Sequence, residues 1–174
     1  MGEWKTYLLQ PDANGLMKQG FFMTDENGTT VCEAKVMKAP LFGAAQVVFT
    51  NFLTGRSEEH KVGHVTTTET SGALGTSLFS TNSRFKYDGK NIWDYLHEQG
   101  IRIDSHLQGK KLGFSYDISL KGRPLATIAT SSPKGKSLLT TKFCLDVTTA
   151  EEDLDLAFLV AYTLAKTPDQ AFHS

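Results

Sequence analysis

The chain of 174 residues contains no apolar run near the ~20 residues a membrane-crossing helix requires. A transmembrane segment is therefore not expected. Cysteine is scarce: Cys32 and Cys144 stand far apart and form no Cys-x-x-Cys pair. The opening Met-Gly-Glu-Trp-Lys-Thr-Tyr lacks the basic and apolar regions of a secretory signal. Two reduced, buried thiols and a cytoplasmic location follow as expectations. Gly2 with Thr6 fits the loose myristoylation pattern, which is too short to carry weight.

Motifs that carry chemistry are missing as well. No Gly-x-Ser-x-Gly elbow occurs; Gly113-Phe-Ser115-Tyr-Asp117 fails at its last position. Gly135-Lys136-Ser137 resembles the end of a phosphate-binding loop, but Thr130 stands where its first glycine belongs. Gly72-Ala-Leu-Gly75 has no flanking helices to make it an RNA-binding loop. His60 and His64 share one face of a strand about 13 Å apart, too far for one metal ion. His97, His106 and His173 have no partner spacing. The expectation is no catalytic residue, no metal and no cofactor. Nucleic acid is not an expected partner either, because Phe114 and Tyr116 fall on a core face rather than a stacking surface.

What the chain does hold is a β pattern punctuated by glycine turns at Asn27-Gly28, Thr54-Gly55, Asp88-Gly89, Gln108-Gly109, Lys121-Gly122 and Lys134-Gly135. Phe21 to Thr24 and Thr30 to Met37 flank the first of these as a hairpin. Gln46 to Phe52 and His60 to Thr67 flank a turn over Leu53 to Glu59. Leu112 to Leu120, Leu125 to Ser131 and Leu138 to Val147 form a meander. In Gly113 to Leu120, Phe114, Tyr116, Ile118 and Leu120 alternate with polar residues, as in a strand with one wet face.

Two segments break that pattern. Asn91 to Gly100 reads as a short amphipathic helix, with Asn91 as N-cap, Asp94 in the first turn and Gly100 as its stop. Ile92, Trp93, Leu96 and Tyr95 form its apolar face. The second helix, Ala150 to Lys166, would be ~25 Å long. It opens on a capping-box spacing, Thr149 to Glu152. From Leu154 to Ala165 its surface is apolar in every direction, interrupted only by Asp155 and Thr163. A helix apolar all round is buried all round. The chain thus reads as one mainly β domain over residues 1–174, a closed antiparallel barrel or sandwich enclosing the C-terminal helix.

Net charge is −1, but it is unevenly spread. Residues 105–142 carry seven Lys or Arg against the single Asp117, a formal +6; residues 143–174 carry one Lys against six acids, a formal −5. Alternate turns of a meander fall on one end of a sheet, so Lys110, Lys111, Lys134 and Lys136 form the candidate anion-binding cluster.

The helix Asp153-Leu-Asp-Leu-Ala-Phe-Leu-Val-Ala-Tyr162, together with the hairpin at Thr24-Asp25-Glu26-Asn27-Gly28, resembles the tubby-like superfamily. That group comprises tubby C-terminal domains, phospholipid scramblases and the plant LURP-one-related proteins. The resemblance implies a twelve-stranded barrel closed around a central C-terminal helix. It also implies a non-enzymatic binding module, with an anionic lipid headgroup or membrane surface as the expected partner. The family's cationic pocket does not align residue by residue with this chain, and the scramblase cysteine cluster and C-terminal span are missing. Two further readings stand beside it: an enzyme or small-molecule binder with a pocket at the barrel end, and a scaffold that meets other proteins through a sheet face.

Overall fold

A computed structural model describes residues 2–12, 20–38, 43–73, 76–107, 114–131 and 144–167. The four candidate lysines, Lys110, Lys111, Lys134 and Lys136, lie outside these residues, as do the Lys134-Gly135 turn and Pro168.

Among the described residues, eleven strands form one antiparallel sheet. The first seven are β1 (Trp4–Pro11), β2 (Phe21–Thr24), β3 (Thr30–Lys38), β4 (Ala45–Asn51), β5 (Arg56–Ala73), β6 (Thr76–Tyr87) and β7 (Lys90–Asn91). Helix α1 (Ile92–Glu98) follows, then β8 (Ile101–Leu107), β9 (Phe114–Leu120), β10 (Arg123–Thr130) and β11 (Leu145–Ala150). Helix α2 (Leu154–Lys166) is the last described element. The spatial order is β7-β6-β5-β4-β3-β2-β1-β11-β10-β9-β8. Two meanders are therefore joined in the middle of the sheet, where the first strand pairs with the last: Tyr7 lies opposite Val147 and Leu9 opposite Leu145. The two edge strands, β7 and β8, are consecutive in the chain and are connected by α1, which touches both.

Local sequence explains most of these elements. Asp25 Oδ1 accepts hydrogen bonds from the backbone N–H of Asn27 and of Thr29, each at 2.9 Å, and Gly28 takes φ 79° to close the β2–β3 turn. Lys121 and Gly122 both have positive φ, as the two-residue turn between β9 and β10 requires. Tyr116 and Ile118 are buried while Asp117 is exposed, so the alternation holds at the centre of β9. In α1, the Asn91 side chain accepts from the N–H of Trp93 and Asp94, and Ile92, Trp93 and Leu96 are buried.

Two expectations need correction. The Leu53 to Glu59 turn is shorter: β5 already begins at Arg56, and residues 52–55 make the turn. The capping box does not form, because β11 runs on to Ala150 and Thr149 Oγ1 donates to the Leu125 carbonyl at 2.7 Å. The helix is entered instead through a 3₁₀ turn over Glu151–Asp153. A bidentate Arg123–Asp153 pair, at 3.0 and 2.9 Å, ties that turn to β10.

The core gathers around α2. Every residue from Val160 to Ala165 is buried, and six positions at 100° apart cover more than a full circle. No side of the helix at that level faces water. Tyr162 packs edge-on against Phe21 of β2 at 5.7 Å and Phe49 of β4 at 5.2 Å, and lies 6.4 Å from Phe85 of β6. The same helix contacts β10 and β11. Thr163, one of its two polar interruptions, donates to the Leu159 carbonyl at 2.7 Å, so its hydroxyl is satisfied within the helix. Cys32 and Cys144 are both buried and unbridged.

Candidate functional site

Asp155, the other polar interruption of α2, opens onto a cleft of about 230 Å³. The cleft lies between the first turns of α2 and the β4–β5 hairpin, with Tyr87 of β6 and Tyr95 of α1 completing it. Its floor is aromatic and aliphatic. Phe49 lies edge-on to Phe158 and to Tyr87, each at 6.3 Å, and Leu156 and Leu159 contribute the helix side. The His60 ring stacks on Tyr87 at 4.6 Å, and Tyr87 in turn lies 4.9 Å from Tyr95. Burial pushes the Tyr87 phenol well above its ordinary pKa, assisted by Tyr95 and the Asp88 and Glu58 carboxylates. It is a neutral ring at physiological pH.

A chain of charged groups runs along the rim. Strand alternation puts Arg56, Glu58 and His60 on one face of β5. Arg56 Nε donates to Glu58 Oε1 at 3.0 Å, and its Nη1 stands 3.9 Å from Asp155 Oδ2. The His60 ring is held at both ends: Nδ1 is 2.6 Å from Asp88 Oδ2, and Nε2 is 3.3 Å from Glu58 Oε2. Asp88 sits in the β6–β7 turn at φ 50°, and its Oδ1 also accepts from the Lys61 N–H at 2.8 Å. The hydrogen bonds from Arg56 and His60 hold the Glu58 carboxyl below its usual range, so it remains ionised at neutral pH.

Asn51 anchors the helix side of this chain. Its Oδ1 accepts from the N–H of Leu53 at 2.9 Å and of Thr54 at 3.3 Å. That leaves the amide nitrogen aimed at α2, where it donates to Asp155 Oδ1 at 2.8 Å. Asn51 is 4% exposed, so the donor end of this bond is buried, whereas the Asp155 side chain is about half exposed and Arg56 more so.

The sequence pointed elsewhere. The four lysines offered as an anion site lie outside the described residues. His60 and His64 do not converge: His60 belongs to the cleft, while the His64 ring packs edge-on against Phe85 at 5.1 Å. Among the described residues no group of three His, Cys, Asp or Glu is placed to hold a metal ion. No helix among them is long and apolar enough to cross a membrane. The cleft residues Arg56 and Glu58 were missed because they were assigned to a turn. The signal available was the Arg-x-Glu-x-His alternation after Thr54-Gly55, together with the single acid inside an apolar helix. Compared with described protein families and with curated proteins, the chain matches none.

Proposed function

We propose that the chain is a non-enzymatic binding module of the tubby-like kind, a closed barrel filled by α2 that takes a small molecule in the cleft at its Asp155 end. Closure is supported by reach. In sheet order β6 and β10 are seven strand spacings apart, about 34 Å if flat, yet both meet a helix about 10–12 Å wide. A sheet that touches one helix from strands so far apart has to curl around it, and α1 is positioned to cover the seam between β7 and β8. The sheet has eleven strands among the described residues, against the twelve that the family resemblance implies.

The observation that carries the binding role is the lined cleft, with its aromatic floor and positioned polar rim. The titratable groups of the rim are engaged with one another, both His60 ring nitrogens by carboxylates, Glu58 by Arg56 and His60, and Asp155 by Asn51, and this favours binding over catalysis. The test is an amide chemical-shift titration with a fragment library. Shifts should cluster on residues 49–60 and 155–159 and on Tyr87 and Tyr95, and Leu159→Trp, which fills the cleft, should abolish them. Shifts scattered over the surface, or unaffected by Leu159→Trp, would remove this reading.

The charge asymmetry of the sequence favours a second reading, an anionic lipid headgroup at Lys110, Lys111, Lys134 and Lys136. Charge reversal at all four should abolish co-sedimentation with phosphoinositide-containing vesicles. Unchanged binding refutes the lipid reading.

A further inference from the structure

We propose that the cleft selects a small organic cation, an amine or guanidinium on an apolar or aromatic body, and that Arg56 is the internal cation such a ligand displaces. The inference rests on the cleft being the binding site and adds the class of its ligand.

The cleft's own charges carry it. Two carboxylates, Glu58 and Asp155, face one guanidinium across the mouth. A third, Asp88, stands behind His60. The carboxylates are held in place independently of Arg56. Asp155 is fixed by the buried Asn51 amide, whose own carbonyl is locked into the hairpin turn. Glu58 is braced by His60, which Asp88 braces from the other side. Arg56 is the most exposed member of the set, at 63%: its Nε and Nη2 both donate to Glu58 Oε1, while its contact to Asp155 is 3.9 Å. A long exposed side chain gives up such a position at little cost, since exposed ion pairs contribute little.

The walls favour the same charge. The faces of aromatic rings carry negative potential and attract cations, and Phe49, Tyr87, Tyr95 and Phe158 all contribute rings. An anion would meet Glu58 and Asp155 at close range, and the groups that could receive it, Arg56 and the His60 ring, are already engaged by carboxylates. A neutral ligand would gain the floor but leave the carboxylates as they are. An ammonium between Glu58 and Asp155, with its body on Phe49 and Leu159, uses both features of the cleft.

The experiment compares three probes of one shape with the full chain at neutral pH and low salt: 2-phenylethylammonium, 2-phenylethanol and 3-phenylpropanoate. Binding is followed by the ring-proton resonances of Tyr87 and Tyr95. The ammonium should bind about tenfold or more tighter than either isostere, as expected for a charge-assisted contact over a neutral one. Arg56→Ala should tighten ammonium binding by removing the internal competitor, and Glu58→Gln should weaken it. Equal or tighter binding of 3-phenylpropanoate, or weaker ammonium binding in Arg56→Ala, would overturn the cationic class while leaving the cleft as a site. If none of the three probes perturbs Tyr87 or Tyr95, the cleft reading fails and the ligand class fails with it.

Discussion

Asn51 shows how a single side chain converts backbone geometry into a site. It ends β4, turns the chain with its carbonyl oxygen and points its amide at Asp155. A helix that is otherwise apolar thereby acquires one oriented carboxylate. Cys32 shows the opposite role for a reactive group. It is 1% exposed, and burial, with the Asp155 charge adding to it, pushes its thiol up to about 12. The thiolate is the reactive form, so at pH 8 a negligible fraction is available while the fold is closed. Neither Cys32 nor Cys144 should react with a thiol-specific disulfide reagent in the native protein, and both should react once urea unfolds it. The labelling rate should follow the opening of the structure and be unaffected by raising the pH from 7 to 8 beyond the reagent's own dependence. Prompt labelling of Cys32 in the native state would mean that β3 is not sealed against α2.

At the scale of elements, α2 combines two environments along its length. Its second half is buried on all sides, while Asp155, Leu156 and Leu159 near its start border the cleft. Charge should be tolerated very differently along it. Val160→Asp places an unpaired carboxylate where exposure is zero, a penalty of several kcal/mol against a typical total stability of about 5–15 kcal/mol. It should abolish the cooperative unfolding transition. Leu159→Ser, at the cleft wall, should remain folded with a loss of about 1–3 kcal/mol, as read from urea midpoints. A cooperative, soluble Val160→Asp protein would contradict all-round burial. The burial of this helix was legible from its sequence because apolarity in every direction has one physical solution in water. The hairpin at Asn27-Gly28 and helix α1 were legible because turn and cap residues act locally. Strand β1 and the first residues of β5 were not. Arg56 to Glu59 are polar and exposed, and they become strand only because β4 offers them a ladder, with Phe49 opposite Glu58. Thr149 misled for the same reason: a local capping signal was outweighed by pairing with β10 and a bond to the Leu125 carbonyl. The cleft fell in this gap, since it is assembled from β4, β5, β6, α1 and α2.

For the molecule as a whole, the decisive junction is the pairing of β1 with β11. Leu9 is fully buried and lies opposite Met23 on one side and Leu145 on the other, partners 14 and 136 residues away. Through this strand the two meanders become a single sheet, so stability lost at Leu9 should be felt at the sheet's far edges. Leu9→Ala should cost about 2–5 kcal/mol through lost burial and a cavity. The informative measurement is where the loss appears. Trp93 in α1 is buried beside the edge strands β7 and β8, the two ends of the strand order, whereas β1 lies near its middle. In a Trp4→Phe background, Trp93 is the remaining tryptophan. Its fluorescence transition and the far-ultraviolet circular dichroism transition should then shift together in Leu9→Ala, with an unchanged denaturant slope. Were the two meanders independent units, the circular dichroism curve would split in two, and only the part belonging to the meander that holds Leu9 would shift. Coincident shifts mean that α1, the edge strands and the central β1–β11 ladder unfold as one, as expected of a single sheet whose two edge strands both contact α1.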